Sequence, residues 1–159
     1  MFKKILIPLD GSKLAVEILS RVKDLVKASD AEITLITVGH YATDEEVGEA
    51  TPRVIFEAAA QENRVGRRYL EQVAAALRSE GIRARWVYMR GVPAETIIAY
   101  AEAEKMDLIA IASRKRGELA WVLGSVAERV VSHATIPVLL LRVEEPKMST
   151  LRHRLVKAA

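Results

Sequence analysis

The residues with the clearest capacity for chemistry lie between the apolar run 108–111 and a helical pattern that opens at Gly124 and Ser125. Three cations, Arg114, Lys115 and Arg116, stand between these two features. The free N–H groups of a helix's first turn and the helix dipole both favour an anion, and Arg and Lys side chains bind phosphate well. The pattern therefore predicts a buried strand, a basic loop over residues 113–116, and a helix N-terminus ready for an anion.

A second polar position is Asp10, which closes the apolar run of residues 4–9. A carboxylate at the end of a buried strand can contact a ligand, and it can equally form a turn before Ser12. The residues do not point to a catalytic site, because no Ser-His-Asp arrangement or carboxylate pair follows from their spacing. They also point to no metal site, since the chain has no cysteine and its three histidines lack ligand spacing.

Five apolar runs read as strands and alternate with helical patterns. The strands are predicted at 4–9, 33–38, 82–89, 108–111 and 138–141, and the helices at 12–26, 54–79, 93–105 and from 124 onward. This alternation predicts an α/β domain with a parallel sheet and helices on both faces. Strand 82–89, which alternates apolar and polar residues, is expected at a sheet edge. Ligands of such sheets bind beyond the carboxyl ends of the strands.

The predicted domain spans residues 1–143 and is followed by a basic tail, 144–159. The segment 39–52 is either a solvated connection or a lid over the strand ends. The 159-residue chain carries a formal charge of +3. Residues 146–159 contain four cations and no acid, so the remaining residues together carry about one negative charge; the cations are Lys147, Arg152, Arg154 and Lys157. Because the body is thus nearly neutral, a nucleic-acid partner is not favoured. The tail is either a frayed terminus or a docking segment for a partner protein. No run approaches about 20 apolar residues, so a cytoplasmic location without membrane contact is expected.

Three segments resemble the universal stress protein family. They are ILIPLDGS from residue 5, RGVPAETIIAYAEAEKMDLIAIAS from residue 90 and LGSVAERVVSHATIPVLLLR from residue 123. The resemblance covers residues 3–142. It implies a Rossmann-like, five-stranded parallel sheet in the order 3-2-1-4-5, similar to that of the adenine nucleotide alpha hydrolases. It also implies a homodimer joined through the last strand, from Val138 to Leu141.

Many members of that family bind ATP through the motif Gly-x-x-Gly, nine residues, then Gly-Ser or Gly-Thr. Here Ala112 and Lys115 stand where the first two glycines are expected, and eight residues rather than nine precede Gly124. The resemblance further implies that Asp10 contacts the adenine-ribose end of ATP and that Val38 offers backbone groups to adenine. The predicted binding residues are Pro8, Leu9, Asp10, Val38, Ala112, Ser113, Arg114, Lys115, Arg116, Gly124, Ser125 and Val126.

These departures from the motif leave two alternatives for the loop. A lysine in the left-handed conformation of a phosphate-loop glycine is strained by about 1 kcal/mol, whereas three neighbouring cations could hold phosphate through side chains instead. Alternatively, the cations are only a solvated loop and nucleotide binding is lost. Ser125 and Glu128 also match a capping box, which would explain Ser125 without a ligand.

The resulting hypothesis is a small dimeric stress-response or regulatory module. It would hold ATP or another adenine nucleotide in a partly degraded crevice, with Mg²⁺ present only alongside the nucleotide. One alternative is a weak ATP-hydrolysing or nucleotide-dependent enzyme that uses the same crevice. The other is a dimeric interaction protein that has lost the ligand.

Overall fold

The computed structural model describes residues 1–40, 52–116 and 120–143, with the side chains of 13–16, 52, 114–116 and 120–122 left aside. Residues 41–51 of the possible lid, Gly117, the Trp121 side chain and the basic tail therefore lie outside the described part. The strands are β1 (Lys4–Pro8), β2 (Glu32–Gly39), β3 (Ala84–Arg90), β4 (Leu108–Arg116), β5 (Ala120–Val122) and β6 (Val138–Val143). The helices are α1 (Lys13–Ser29), α2 (Pro52–Ser79), α3 (Pro93–Ala103) and α4 (Ser125–His133).

The sheet confirms the predicted strand order. Five strands are parallel neighbours in the order β3-β2-β1-β4-β6, and the short β5 is antiparallel to β4. Counting only the five parallel strands along the chain, this is the order 3-2-1-4-5. The predicted edge position of the third strand is also confirmed, although β3 begins two residues later than its apolar run. Along the chain, β2 and β3 are added on one side of β1, whereas β4 and β6 are added on its other side. The order of the strands therefore reverses between β1 and β4.

Two hydrophobic cores lie on opposite faces of the sheet, because successive strand side chains point to opposite sides. In β1, Ile5 and Ile7 pack under α1 and α2, whereas Leu6 packs under α3 and α4. All three side chains have no exposed surface. Burial on both faces explains why the central strands read as continuous apolar runs.

The helix ends follow local backbone rules. Ser12 occupies the N-cap of α1, as predicted, although its side chain forms no capping hydrogen bond. Gly81 follows α2 with a φ of 79°, and its N–H donates to the Arg78 carbonyl. That left-handed conformation favours glycine and ends the helix as predicted. Pro93 begins α3, where its missing N–H has no intrahelical partner to lose.

Asp107 joins the amino ends of β1 and β4. Its Oδ2 atom accepts hydrogen bonds from the backbone N–H groups of Lys3 (2.9 Å) and Lys4 (2.8 Å). Its own N–H donates to the Lys4 carbonyl at 2.9 Å. The hydrogen bond from Lys3, followed by that from Lys4, lowers the pKa of the Asp107 carboxyl below its ordinary value. The ionised carboxylate therefore stabilises the start of the central strand pair.

We expect Asp107→Ala to lower the free energy of unfolding by about 1 kcal/mol at pH 7, because two charge-assisted hydrogen bonds are lost at an exposed site. Because folding lowers the pKa of the Asp107 carboxyl, its ionised form adds to the free energy of unfolding at any pH above the unfolded-state pKa of about 3.9. This contribution disappears as the pH falls through the lower pKa of the folded state. Urea unfolding at pH 7 and near pH 3 measures both effects. Asp24→Ala, at an exposed position of α1, is the control. A difference from the wild type that stays constant with pH would contradict the assigned role.

Within the described ranges, no helix combines the length and the apolar character needed to cross a membrane.

Candidate functional site

A crevice opens where the two central strands separate. The ladder between β1 and β4 consists of the pairs Ile5–Leu108 and Leu6–Ile109, and beyond it the two chains diverge. The cavity between them has a volume of about 690 Å³. It lies at the carboxyl ends of the strands and at the reversal of strand order, where ligands of open α/β sheets bind. Its lining residues are Pro8, Leu9, Asp10, Ser12, Ile18, Ile36, Val38, His40, Pro93, Ile97, Ile111, Ala112, Leu123, Gly124, Ser125, Val126, Ala127 and Glu128.

Asp10 is held at one side of this crevice by local hydrogen bonds. Its Oδ1 atom accepts the Ser12 N–H at 2.9 Å, which forms the turn expected before α1. The preceding residue is also fixed, because the Leu9 N–H donates to the Ile36 carbonyl at 2.8 Å and the Thr37 hydroxyl donates to the Leu9 carbonyl at 2.9 Å. Asp10 also lines the cavity. The residue that forms the turn therefore stands at the surface that a ligand would contact.

The Tyr69 hydroxyl adds to the electrostatics around Asp10. This hydroxyl, which belongs to α2, is buried and has no hydrogen-bond partner among the described residues. Burial raises the pKa of Tyr69, and the negative charge of Asp10 raises it further. Tyr69 is therefore neutral at physiological pH and adds no second negative charge beside Asp10.

The opposite side of the crevice is the N-terminus of α4. Gly124 is the N-cap, with φ −65° and ψ 153°, and its carbonyl accepts the Glu128 N–H at 2.9 Å. The predicted capping box is therefore wrong. The helix begins one residue earlier than that motif requires, so Ser125 is the first helical residue and no side chain forms a capping hydrogen bond. The first-turn N–H groups, which have no intrahelical acceptor, remain available to an anion.

The predicted basic loop over residues 113–116 is also wrong. These residues continue β4, and Arg114, Lys115 and Arg116 pair antiparallel with Val122, Trp121 and Ala120 of β5. The ladder to β5 satisfies backbone groups that a loop would have left to solvent or ligand. Because Lys115 lies in a strand, the left-handed strain expected at a phosphate-loop position does not arise there.

The position of β5 follows from the pairing of Arg114. Arg114 pairs with Val143 of β6 on one side, so its pairing with Val122 must use the other side of β4. That second side is the one on which β1 lies. The strand β5 therefore lies beside β4 on the same side as β1, beyond the last pair that β1 forms with β4.

The structure brings most of the predicted binding residues to this crevice. Ser113 is buried, with 2% of its surface exposed, and is not among the lining residues. For Arg114, Lys115 and Arg116 only the backbone is described. The residues that line the crevice as predicted are Pro8, Leu9, Asp10, Val38, Ala112, Gly124, Ser125 and Val126.

Sequence reasoning missed His40, Ile97 and Glu128 as lining residues. His40 follows directly after β2, a position that the carboxyl-end rule for α/β sheets already marks. Ile97 lies one turn after Pro93, on the helix face that packs over the sheet. The capping-box hypothesis gives Glu128 only a structural role. Among the described residues, no group of three or more His, Cys, Asp or Glu side chains is placed to hold a metal ion.

Comparison with known proteins agrees with this architecture. The model of the universal stress protein family matches residues 1–142. The chain belongs to the universal stress protein family. A family member from Methanocaldococcus jannaschii is 35% identical over 153 residues, which cover 92% of this chain and 85% of that protein. The sheet order, the crevice and the motif around Gly124 are therefore those of a chain in this family.

Solved structures in the family share the fold. A second Methanocaldococcus jannaschii member superposes with a TM-score of 0.75 at 27% identity, covering 92% of this chain and 99% of that one. A universal stress protein from Archaeoglobus fulgidus, solved in complex with dAMP, gives a TM-score of 0.58 at 18% identity. These figures cover 87% of this chain and 97% of that protein. At that identity the second likeness concerns the fold alone.

Proposed function

We propose that this family member is a dimeric stress-response or regulatory module whose crevice binds an adenine nucleotide, with ATP as the first candidate. The observation that carries the proposal is the pairing, in one cavity of about 690 Å³, of the Asp10 carboxylate with the uncapped N-terminus of α4. Ligand pockets for small molecules span roughly 300–1,000 Å³. A dAMP complex is known for a protein of the same fold.

The chemistry of the crevice suits the two ends of a nucleotide. Ile36, Val38, Ile97 and Ile111 give its middle an apolar lining, which suits the faces of a purine. Asp10 offers a carboxylate to ribose hydroxyl groups. At the α4 side, the first-turn N–H groups and the helix dipole offer positive potential to phosphate.

Glu128 opposes a phosphate at the α4 side of the crevice. Its carboxylate lies in the first turn of α4, where it interacts favourably with the helix dipole but repels another anion. We propose that positive charge from the Arg114–Arg116 segment offsets this repulsion, with Mg²⁺ arriving only together with the nucleotide. Side-chain cations would then replace part of the cradle that the glycines of the family motif provide.

The proposed dimer uses β6. This strand pairs with β4 along one edge, and within the described ranges nothing pairs with its other edge. The side chains of residues 138–141 are only half-buried. This is expected of an edge strand that packs against another surface. An unpaired edge is a ready template for a second strand, which supports a two-fold pairing through residues 138–141.

Gly124→Ala tests the nucleotide proposal. A Cβ atom at residue 124 would meet nothing within 4 Å, and its φ of −65° suits any residue. Because alanine is a poorer N-cap than glycine, we expect a stability loss below about 1 kcal/mol. In contrast, a methyl group there stands between the phosphate and the backbone N–H groups. We therefore expect ATP affinity to fall at least about tenfold, from the loss of charge-assisted hydrogen bonds.

Calorimetric titration with ATP and Mg²⁺ measures this change, and thermal unfolding checks the fold. Ser132→Ala, an exposed position on the same helix, is the matched control and should leave both properties unchanged. Absence of heat from the wild type at millimolar ATP would remove the nucleotide proposal. Equal affinities for the wild type and Gly124→Ala would move the phosphate away from α4.

A further inference from the structure

A second depression lies on the outer surface of the α3–α4 layer, separate from the nucleotide crevice. Its volume is about 310 Å³. The floor is formed by Ala94, Ile98 and Ala99 of α3. Two alanines on one helix leave space for another helix to approach closely, and Ile98 gives the floor an apolar contact. The depression is called the α3–α4 groove below.

The two walls of the groove carry opposite charge. Glu95 and Glu102 stand on the α3 wall, and Arg129 and His133 stand on the α4 wall. All four side chains are exposed. Among the described residues none of them forms an ion pair across the groove, although the Glu102 carboxylate accepts the Thr135 hydroxyl at 2.8 Å. The groove therefore presents an acidic wall, with Glu95 and Glu102, and an opposite wall with the Arg129 cation beside the His133 ring. No ion pair among the described residues neutralises either wall.

This charge pattern is self-complementary under only one two-fold arrangement. A two-fold axis that runs along the groove places the α3 wall of one copy opposite the α4 wall of the other, so that acids face bases twice. An axis across the groove places α3 against α3 and brings glutamates together. An isologous contact needs the same patch on both copies, and opposite charges favour the correct partner while like charges exclude others.

We propose that the α3–α4 groove is an interface for a second copy of this chain, paired about a two-fold axis along the groove. The helices of the two copies form a four-helix layer with the alanine floor at its centre. Glu95 and Glu102 of each copy face Arg129 and His133 of the other. This contact is distinct from the dimer proposed at the β6 edge, and it lies on the face covered by α3 and α4.

Charge reversal with mixing tests the interface. The first variant, Glu95→Arg with Glu102→Arg, makes both walls basic, and the second, Arg129→Glu with His133→Glu, makes both walls acidic. Each variant alone places like charges in contact, so we expect its self-association through this face to weaken at least about tenfold. In an equimolar mixture each basic wall meets an acidic wall, and association should return to near the wild-type level.

Light scattering after size-exclusion chromatography gives the molar mass over a concentration series at low and high salt. Asp24→Arg with Glu57→Arg is the matched control for Glu95→Arg with Glu102→Arg, since it makes the same change in net charge as that variant. Its two positions are exposed on α1 and α2, which cover the other face. Thermal unfolding confirms that each variant is folded. The expected result is a lower mass for each reversal variant and recovery in the mixture.

Two outcomes would overturn the proposal. If the wild type and both variants have equal mass at every concentration, the groove does not join copies of this chain and is left to a different partner. If each variant loses mass but the mixture does not recover it, the four charges do not face one another across a two-fold axis. Neither outcome bears on the nucleotide crevice, which the Gly124 experiment tests independently.

Discussion

Gly66→Ala is expected to destabilise the protein by about 2 kcal/mol and to lower its Tm by roughly 4–8 °C. In an exposed helix interior the same change normally stabilises by about 1 kcal/mol, because alanine has the higher helix propensity. Here a Cβ atom at residue 66 would overlap Cε2 of Tyr88 and come within 2.8 Å of its Cδ2. The aromatic ring of β3 packs directly on the backbone of α2, so the helix has no room for a methyl group.

The Tyr88 ring has little freedom to move away. Its hydroxyl lies against Gly39, where a Cβ atom would stand 2.9 Å from the ring's Cζ. The guanidinium of Arg67 stands 5.8 Å from the ring centroid, and the residue keeps only 8% of its surface exposed. The two glycines thus contact the ring from the end of β2 and from the middle of α2. Relief of an added methyl group would require the helix to shift on the sheet.

A double-mutant cycle isolates this contact. In a Tyr88→Ala background the ring is absent, and we expect Gly66→Ala to become stabilising by about 1 kcal/mol. Urea unfolding of the wild type, both single variants and the double variant measures the coupling. A destabilising effect of the same size in both backgrounds would show that the cost comes from elsewhere along α2.

Asp10→Ala is expected to weaken ATP binding by roughly 10- to 100-fold, because a charge-assisted hydrogen bond to a ligand contributes about 1.5–3 kcal/mol. The same change removes the acceptor of the Ser12 N–H, which holds the turn before α1. Asp10→Asn separates the two roles. Its side-chain carbonyl can still accept the Ser12 N–H, but its charge is gone and its amide nitrogen cannot accept a hydrogen bond.

We therefore expect Asp10→Asn to keep wild-type thermal stability while losing ATP affinity to an intermediate degree. Calorimetric titration and thermal unfolding of both variants provide the two readouts. If Asp10→Asn matches the wild type in affinity as well as in stability, the carboxylate serves only the turn. In that case the adenine-ribose end of the ligand must be held by other groups, such as the backbone beside Val38.

The sheet could be predicted from the sequence because its signals are local. The strands β1 and β2 are runs of apolar residues that are largely buried on both faces, and Gly81 marks the end of α2 through its backbone preference. The neighbours β1 and β4 could be identified only through the family resemblance. Their registered pairs involve residues about 100 positions apart, and no local pattern carries that information.

The sequence located eight of the residues that line the crevice, but it did not predict the backbone around them. The alternation that would reveal a strand is hidden in residues 113–116, where polar and basic side chains follow one another, and its partner β5 is only three residues long. The N-cap of α4 is Gly124, one residue before the predicted Ser125. A capping position is defined by φ and ψ, so side-chain type alone does not locate it. The contact between Gly66 and Tyr88 joins a helix to a strand and leaves no periodic signal in either.

The short ladder between β1 and β4 has a consequence for how the crevice can admit a ligand. The half of the sheet formed by β3, β2 and β1 is joined to the half formed by β4 and β6 only near the amino ends, at Ile5–Leu108 and Leu6–Ile109. The two halves can spread at the carboxyl ends without breaking a ladder hydrogen bond between β1 and β4. Ile7 and Ala110, which are fully buried in the same core cluster, would have to repack as the strands move apart. The cost of widening the crevice therefore lies in side-chain packing rather than in hydrogen bonds of the sheet.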